Sequence, residues 1–243
     1  MKWVFHAIVF YALTVKSIYF KREWNNETIK NKRMSNKIED QSKNDLEQYW
    51  SKRYVDESTG WDLGLVSVPI RAYADQLQDK NIKILIPGAG NAYEAEYLYR
   101  SGFINTNIVD ISTIPLQNFK ERVPSFPADQ IILGDFFELQ GQFDLIIEQT
   151  FYCSFPPIDN NRAQYVQQMH KLLKPNGKLV GLWFNIPLTG DLEKRPFGGT
   201  VPEYVKQFES HFEMQVFEEA NNSVESRAGK ELFGILRRRG LVE

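Results

Sequence analysis

The sequence contains little of what a disulfide-stabilised or metal-binding protein needs. Cys153 is the only cysteine among 243 residues, so an internal disulfide and a cysteine-rich metal site are both excluded. The three histidines, His6, His170 and His211, lie far apart and form no ligand pattern. We therefore predict no metal site and expect a reducing compartment, the cytoplasm.

The chain also has no strong excess of positive or negative charge. The 29 Lys and Arg residues face 31 Asp and Glu residues, which gives a net charge of −2. The basic run Arg237-Arg238-Arg239 closes an apolar segment and is typical of a solvated strand end. Neither nucleic acid nor an anionic membrane is predicted as a partner.

A long hydrophobic run is also missing. The apolar stretch 3–15 is too short to span a membrane comfortably, and lysines interrupt its extension. No small-residue cleavage site of a signal peptide follows it. We expect Met34 to be the physiological start and residues 1–43 to form an extension outside the fold, without stable membrane insertion. A weak membrane anchor within residues 3–20 is the alternative.

The remaining residues, 44–243, are predicted to form one domain in which strands alternate with helices. Helices are predicted from about Ser42 or Asp45 and over 68–77, 92–101, 116–122, 160–173 and 201–212. Strands are predicted over 83–86, 106–109, 130–133, 143–148, 178–184, 214–218 and 232–237. This alternation indicates a parallel sheet covered by helices on both faces.

The clearest functional signal is a glycine turn within residues 84–96. An apolar run ends at Gly88-Ala89-Gly90 and passes into a helical pattern, which is the outline of a strand–turn–helix nucleotide site. The missing side chains let backbone approach a ligand, and the helix N-terminus offers free N–H groups. Tyr93 stands where the dinucleotide fingerprint has its third glycine. A ligand without a pyrophosphate is therefore favoured over NAD.

Two aspartates follow the next two strands. Asp110 lies about twenty residues past the turn, where an acidic side chain bonds ribose hydroxyls in doubly wound folds; a helix-capping aspartate before Ser112 is the alternative. Asp135 could hold the exocyclic amine of adenine while a phenylalanine packs on the ring, and a plain turn aspartate fits equally well. Glu94 is compatible either with the helix dipole or with a positively charged amino group.

Several motifs follow one another in a definite order: Leu85–Gly90, Val109–Ser112, Gly134–Phe137, Phe143–Glu148 and Leu172–Gly177. In this order the chain resembles a class I S-adenosylmethionine-dependent methyltransferase. More narrowly, it resembles the thiopurine S-methyltransferase family, which includes plant thiol and halide methyltransferases. The narrower resemblance spans about residues 46–238 and depends on Tyr49–Tyr54, Gly60–Gly64, Pro87 and Arg195–Gly199.

The resemblance implies a Rossmann-like class I methyltransferase fold: a mostly parallel seven-stranded sheet with helices on both faces and an N-terminal helical lid. It implies S-adenosyl-L-methionine as the cofactor, with the glycine turn facing its methionine part, Asp110 its ribose, and Asp135 with Phe136 its adenine. The implied cofactor-binding residues are Trp50 and Trp61 of the lid, Gly88, Gly90, Asp110, Ile111, Asp135, Phe136 and Glu148. Phe151, Tyr152, Pro196 and Phe197 would border the acceptor pocket, and ordinary aromatic core is expected for at least one of these four.

Methyl transfer from a sulfonium needs alignment and exclusion of water more than acid–base help. We therefore predict a positioning mechanism without a catalytic acid or base, and expect Cys153 to be a buried small residue rather than a nucleophile. The expected partner is a small-molecule methyl acceptor, a thiol or other soft nucleophile, and the expected state is a monomer. Oxygen, nitrogen or metalloid acceptors are alternatives, because Gln149 and Thr150 depart from the family's pattern; a non-catalytic S-adenosylmethionine-binding protein is another.

Overall fold

The computed structural model describes residues 44–158, 160–188 and 195–240. The chain divides into two units, Met1–Gln48 and Tyr49–Glu243. Of the first unit, the described residues 44–48 are helical, and helix α1 covers residues 44–55. The predictions for residues 1–43 and for Met34 fall outside the described part of the chain. Within that part, no helix has both the length and the apolar character needed to cross a membrane.

Seven strands form one sheet in the order β3-β2-β1-β4-β5-β7-β6. They are β1 (Ile84–Pro87), β2 (Thr106–Asp110), β3 (Ile131–Leu133), β4 (Phe143–Gln149), β5 (Leu173–Phe184), β6 (Phe212–Glu219) and β7 (Glu231–Arg238). Strands β1 to β5 pair in parallel, whereas β7 is antiparallel to β5 and β6. The connection from β6 to β7 contains only the 3-10 helix Glu225–Arg227, so β7 returns beside β6 without a crossover helix. The predicted mostly parallel sheet is confirmed.

Helices cover both faces of this sheet. The five that follow α1 are α2 (Val68–Ala74), α3 (Tyr93–Arg100), α4 (Thr113–Arg122), α5 (Asn161–Leu172) and α6 (Val201–Phe208). Alternate residues of β1 enter opposite layers: Leu85 packs with α5 and α6, whereas Ile84 and Ile86 pack with α2, α3 and α4. All three are at most 4% exposed. The strand is thus buried on both faces, which explains why its sequence is a continuous apolar run.

Two predicted boundaries differ most from the structure. β5 begins at Leu173, whereas the turn-like residues 174–177 predicted a strand only from residue 178. Leu173 pairs with Phe143, and the register then shifts before Lys178 pairs with Leu145, so the turn residues form an irregularity inside the strand. Helix α6 ends at Phe208 rather than at residue 212, because Phe212 already belongs to β6.

The sheet topology brings the predicted site residues to one edge. Except for Trp50 and Trp61, which precede β1, these residues lie at the carboxyl ends of β1 to β5 or in the loops that follow them. In parallel strands these ends lie on the same side of the sheet, and open α/β sheets bind ligands in the crevice outside them.

Candidate active site

The glycine turn after β1 has a backbone that only small residues can occupy. Gly88 and Gly90 have φ values of +55° and +53°, in the left-handed region that disfavours side chains. A Cβ atom on Gly88 would lie 2.0 Å from Cδ2 of Phe151, and one on Gly90 would lie 2.9 Å from the Tyr54 hydroxyl. Bare backbone therefore faces the aromatic side chains of Phe151 and Tyr54.

Asp110 ties this turn to the end of β2. Its Oδ2 accepts a hydrogen bond from the Gly90 amide at 2.8 Å, and its Oδ1 accepts one from the Ser112 amide at 2.9 Å. Burial raises the pKa of the Asp110 carboxyl. Hydrogen bonds from the backbone of Ser112, Gly90 and Ile111 act in the opposite direction and lower this pKa. Ile111 follows at the same edge and is half-buried.

Asp135 begins the loop after β3. Its Oδ1 accepts a hydrogen bond from the Phe137 amide at 2.9 Å and caps the 3-10 helix Phe136–Glu138. The predicted turn role is thus present. Phe136 is 5% exposed, and its ring centroid lies 5.3 Å from that of Phe151 in an edge-to-face contact. Phe136 therefore supports the loop from within the core.

Glu148 is fully buried at the end of β4. Its Oε2 accepts hydrogen bonds from the amides of Phe151 at 2.7 Å and Tyr152 at 3.4 Å, and its Oε1 accepts one from the Tyr165 hydroxyl at 3.1 Å. Burial raises the pKa of the Glu148 carboxyl to about 8. These bonds shape the loop that places Phe151 over Gly88.

Three aromatic rings lead from helix α1 to the glycine turn, and we call them the aromatic row: Trp50, Trp61 and Tyr54. The ring centroids of Trp50 and Trp61 are 5.4 Å apart, and those of Trp61 and Tyr54 are 5.8 Å apart. Burial raises the pKa of the Tyr54 hydroxyl. The structure thus brings both predicted lid tryptophans together and adds Tyr54, which the sequence did not single out as a ligand residue.

The four residues predicted to border the acceptor pocket have different surroundings. Phe151 is half-buried over the glycine turn and Pro196 is exposed. Tyr152 and Phe197 are 0% and 3% exposed. Tyr152 packs on the rings of Tyr165, Tyr204 and Phe208, so it is the aromatic core residue expected among the four.

A buried arginine joins the loops after β4 and β5. The Nε of Arg162, on α5, donates to the carbonyl of Phe155 at 3.1 Å, and its Nη2 donates to the carbonyls of Phe197 and Gly198 at 2.9 and 3.0 Å. Arg162 is only 6% exposed. The sequence offered no signal for this role, because the residue lies inside an ordinary helical pattern.

Cys153 is not a nucleophile in this structure. It is 1% exposed, burial raises the pKa of its thiol to about 12, and the Phe184 amide donates to its sulfur at 3.4 Å. A thiol with this pKa is protonated at neutral pH. The prediction of a buried small residue is confirmed.

A second buried polar network lies beside the glycine turn. Arg227 donates from Nη1 to Oε1 of Glu231 at 3.0 Å and from Nη2 to the carbonyl of Trp61. With its amide oriented to satisfy both neighbours, Gln149 accepts from Nη1 of Arg227 at 2.8 Å and donates to Oε1 of Glu94 at 3.2 Å. Burial raises the pKa of Glu94. The network connects the Trp61 loop to β4 and β7. Arg227 was not predicted as part of it, because two of its partners, Trp61 and Gln149, are distant in the chain.

Known proteins share this sequence pattern. A family model described as thiopurine S-methyltransferase matches residues 46–239. The probable thiol methyltransferase 2 of Arabidopsis thaliana is 31% identical over 162 residues, which cover 65% of this chain and 70% of that protein. Thiocyanate methyltransferase 1 of the same plant is 26% identical over 191 residues, covering 76% and 82%.

Solved structures share the fold. The 1,6-didemethyltoxoflavin-N1-methyltransferase of Burkholderia thailandensis, with bound S-adenosylhomocysteine, has a TM-score of 0.65 at 18% identity and covers 80% of this chain and 88% of its own. The magnesium protoporphyrin IX methyltransferase of Synechocystis PCC 6803 has a TM-score of 0.62 at 14% identity, covering 81% and 99%. The predicted Rossmann-like class I methyltransferase fold is therefore confirmed.

Proposed function

Because the chain belongs to the thiopurine S-methyltransferase family and is an S-adenosylmethionine-dependent methyltransferase, we propose that its methyl acceptor is the sulfur of a small thiol or another small, soft nucleophile. The observation that carries the proposal is the convergence, outside one sheet edge, of the bare glycine turn, Asp110 and the loop that bears Phe151. When bound, S-adenosylmethionine supplies a methyl group on a positively charged sulfur.

We assign the residues that hold the cofactor as follows. The backbone of Gly88 and Gly90 admits the methionine part, because neither residue carries a side chain there. Asp110 accepts hydrogen bonds from the ribose hydroxyls, with Ile111 beside it. Asp135 and Phe136 lie toward adenine, Trp50 and Trp61 cover the cofactor, and Glu148 acts on the site through the Phe151 loop that it holds.

The acceptor side supports a soft nucleophile. His170 and His211 are the described histidines, and their ring centroids lie 5.3 Å apart. His170 bonds the carbonyl of Arg239 beyond the end of β7, and β7 runs antiparallel to β5, so this pair lies at the opposite edge of the sheet. Neither imidazole is placed to remove a proton from the acceptor. A thiolate or a small anion needs no such base. Phe151 and Pro196 then serve to position it and exclude water, whereas the buried Tyr152 and Phe197 support their loops from the core.

Replacing Asp110 with alanine is expected to weaken binding of S-adenosylhomocysteine by about 1–3 kcal/mol, the scale of a lost hydrogen bond to a charged group. Isothermal titration calorimetry measures this change directly. Asp144→Asn is the matched control, because Asp144 lies at the start of β4 and pairs with Lys174. Equal affinity of wild type and Asp110→Ala would refute the placement of the ribose.

The acceptor class is tested by measuring transfer of labelled methyl groups to thiols, hydrosulfide, iodide, thiopurines, and selenium and tellurium oxyanions. We expect turnover with at least one small sulfur nucleophile. Methylation confined to oxygen, nitrogen or metalloid acceptors would contradict the proposal. Cofactor binding without turnover on any acceptor would instead favour a non-catalytic protein.

The location and assembly of the protein are also part of the proposal. We propose a cytoplasmic monomer whose catalytic domain is residues 44–243, with residues 1–43 as an extension. The buried single cysteine suits a reducing compartment, and the family match begins at residue 46. A chain beginning at Met34 should bind S-adenosylhomocysteine as tightly as the full chain, and a large loss would contradict this division.

A further inference from the structure

Arg195 joins two loops on the acceptor side of the site. It follows β5 and directly precedes Pro196 and Phe197. Its Nε donates to the carbonyl of Ser154, in the loop after β4, at 3.1 Å, and its Nη1 donates to the Tyr49 hydroxyl at 3.1 Å. The half-buried guanidinium is thereby held in one place.

The groups that the structure describes around Arg195 do not neutralise its charge. The guanidinium carbon lies 4.9 Å from the ring centroid of Tyr49, 5.6 Å from that of Trp50 and 5.3 Å from that of Phe197. Aromatic faces attract a cation but carry no net charge, and its hydrogen-bond acceptors are a carbonyl and a hydroxyl. Among residues 44–158, 160–188 and 195–240, no carboxylate forms an ion pair with Arg195. Of five N–H donors in a guanidinium, these two bonds occupy two.

The aromatic row connects Arg195 with the glycine turn. Trp50, at the end of the row near Arg195, is followed by Trp61 and Tyr54, and Tyr54 reaches Gly90. The Ser154 carbonyl that accepts from Arg195 lies in the same short loop as Phe151, whose ring covers Gly88. Arg195 is thereby linked both to the aromatic row and to the loop that bears Phe151, and it directly precedes Pro196 and Phe197, two of the residues proposed to border the acceptor pocket.

We propose that Arg195 is a specificity-determining residue that binds the carboxylate of the methyl acceptor, so that the preferred acceptors are small thiols bearing a carboxylate. A planar guanidinium matches the two oxygens of a carboxylate. This inference rests on the proposed function, since it names the acceptor of the same site.

The test uses mercaptoacetate and mercaptoacetamide, which have the same size and the same thiol group but differ in charge. Their kcat/KM ratio is measured for wild type and for Arg195→Gln, so that the different intrinsic reactivities of the two thiols cancel. We expect the ratio to fall by about tenfold or more in the variant, as for a lost hydrogen bond between charged groups. Binding of both compounds to the S-adenosylhomocysteine complex, measured by calorimetry, should show the same change.

Two further variants separate carboxylate binding by Arg195 from an effect on folding and from the overall positive electrostatic potential near the site. Arg195→Lys keeps the charge and should retain most of the preference for mercaptoacetate. Arg53→Gln removes a cation that lies over the rings of Tyr49 and Trp61, and it should leave the ratio unchanged. A ratio in Arg195→Gln within about twofold of wild type, or an equal fall in Arg53→Gln, would overturn the inference.

The calorimetric arm distinguishes this inference from the proposed function. If wild type methylates no small sulfur nucleophile, including these two thiols, the proposed acceptor class fails. The role of Arg195 is then decided by whether mercaptoacetate still binds more tightly than mercaptoacetamide in wild type but not in Arg195→Gln.

Discussion

Replacement of Glu148 with alanine is expected to lower the free energy of unfolding by about 3–5 kcal/mol. The change leaves the Phe151 amide and the Tyr165 hydroxyl, which both donate to this carboxyl, without their acceptor in the core. Each unsatisfied buried group costs about 1–3 kcal/mol, and the removed side-chain atoms leave a cavity. Urea denaturation followed by circular dichroism measures the change.

Glu148→Gln is the matched variant, because an amide keeps one acceptor oxygen and nearly the same volume. We expect it to lose no more than about 1–2 kcal/mol, the scale of one rearranged hydrogen bond. If Glu148→Gln and Glu148→Ala are equally unstable, the carboxyl does not act through the bonds that hold the Phe151 loop.

The same pair of proteins tests the pH dependence. Burial raises the pKa of Glu148 from 4.5 to about 8, so the folded state binds this proton more tightly than the unfolded state. Its contribution to stability is fully present below about pH 4.5 and is lost as pH rises toward 8, with a slope of up to about 1.4 kcal/mol per pH unit. The stability of wild type relative to Glu148→Gln should therefore fall between pH 5 and 8. Parallel pH profiles would contradict the raised pKa.

Replacement of Gly88 with alanine should cost about 2–5 kcal/mol of stability and reduce affinity for S-adenosylhomocysteine by at least about tenfold. A left-handed backbone costs a side chain about 1–2 kcal/mol, and forcing a methyl group against the Phe151 ring adds about 1–3 kcal/mol of overpacking. Displacement of the backbone at residue 88 or of the Phe151 ring would also change the shape of the proposed cofactor site. Calorimetric titration and urea denaturation report the two effects separately.

Gly102→Ala is a matched control for the backbone cost. Gly102 has φ of +92°, and a Cβ atom placed there would meet nothing within 4 Å, so this variant tests the left-handed backbone without a clash. Combining Gly88→Ala with Phe151→Ala should recover the overpacking cost, which a double-mutant cycle measures as a coupling of about 1 kcal/mol or more. Strictly additive effects of the two substitutions would show that the ring does not limit residue 88.

Local pattern was sufficient to predict most of the fold. Apolar runs bounded by turns indicated all seven strands. The central strands β1 and β4 lack polar alternation because both of their faces are buried. The boundary between a helix and a strand was less predictable where the spacing of apolar residues suited both. Phe208 and Phe212 lie four residues apart and are both fully buried, a spacing that suits one helix face, yet the second residue pairs in β6.

The sequence by itself determined the class of the site. Gly88, Gly90 and Asp110 were recognisable because a left-handed turn requires residues without side chains, and because the acidic residue at the end of the next strand occurs at a characteristic spacing. These requirements depend on backbone geometry within a short stretch of chain. Placement of Asp110 against the Gly90 amide agrees with that expectation.

Only the tertiary structure decided the electrostatics around the site. Arg195 contacts Tyr49 across 146 residues, and Arg227 contacts Trp61 across 166, so neither pair leaves a local pattern in the sequence. The raised pKa of Glu148 likewise comes from burial, which depends on how the strands and helices pack around it. Residue types and turns could be deduced from neighbours along the chain, whereas charge, burial and the side of the site that a residue faces depend on contacts that form only when distant segments meet.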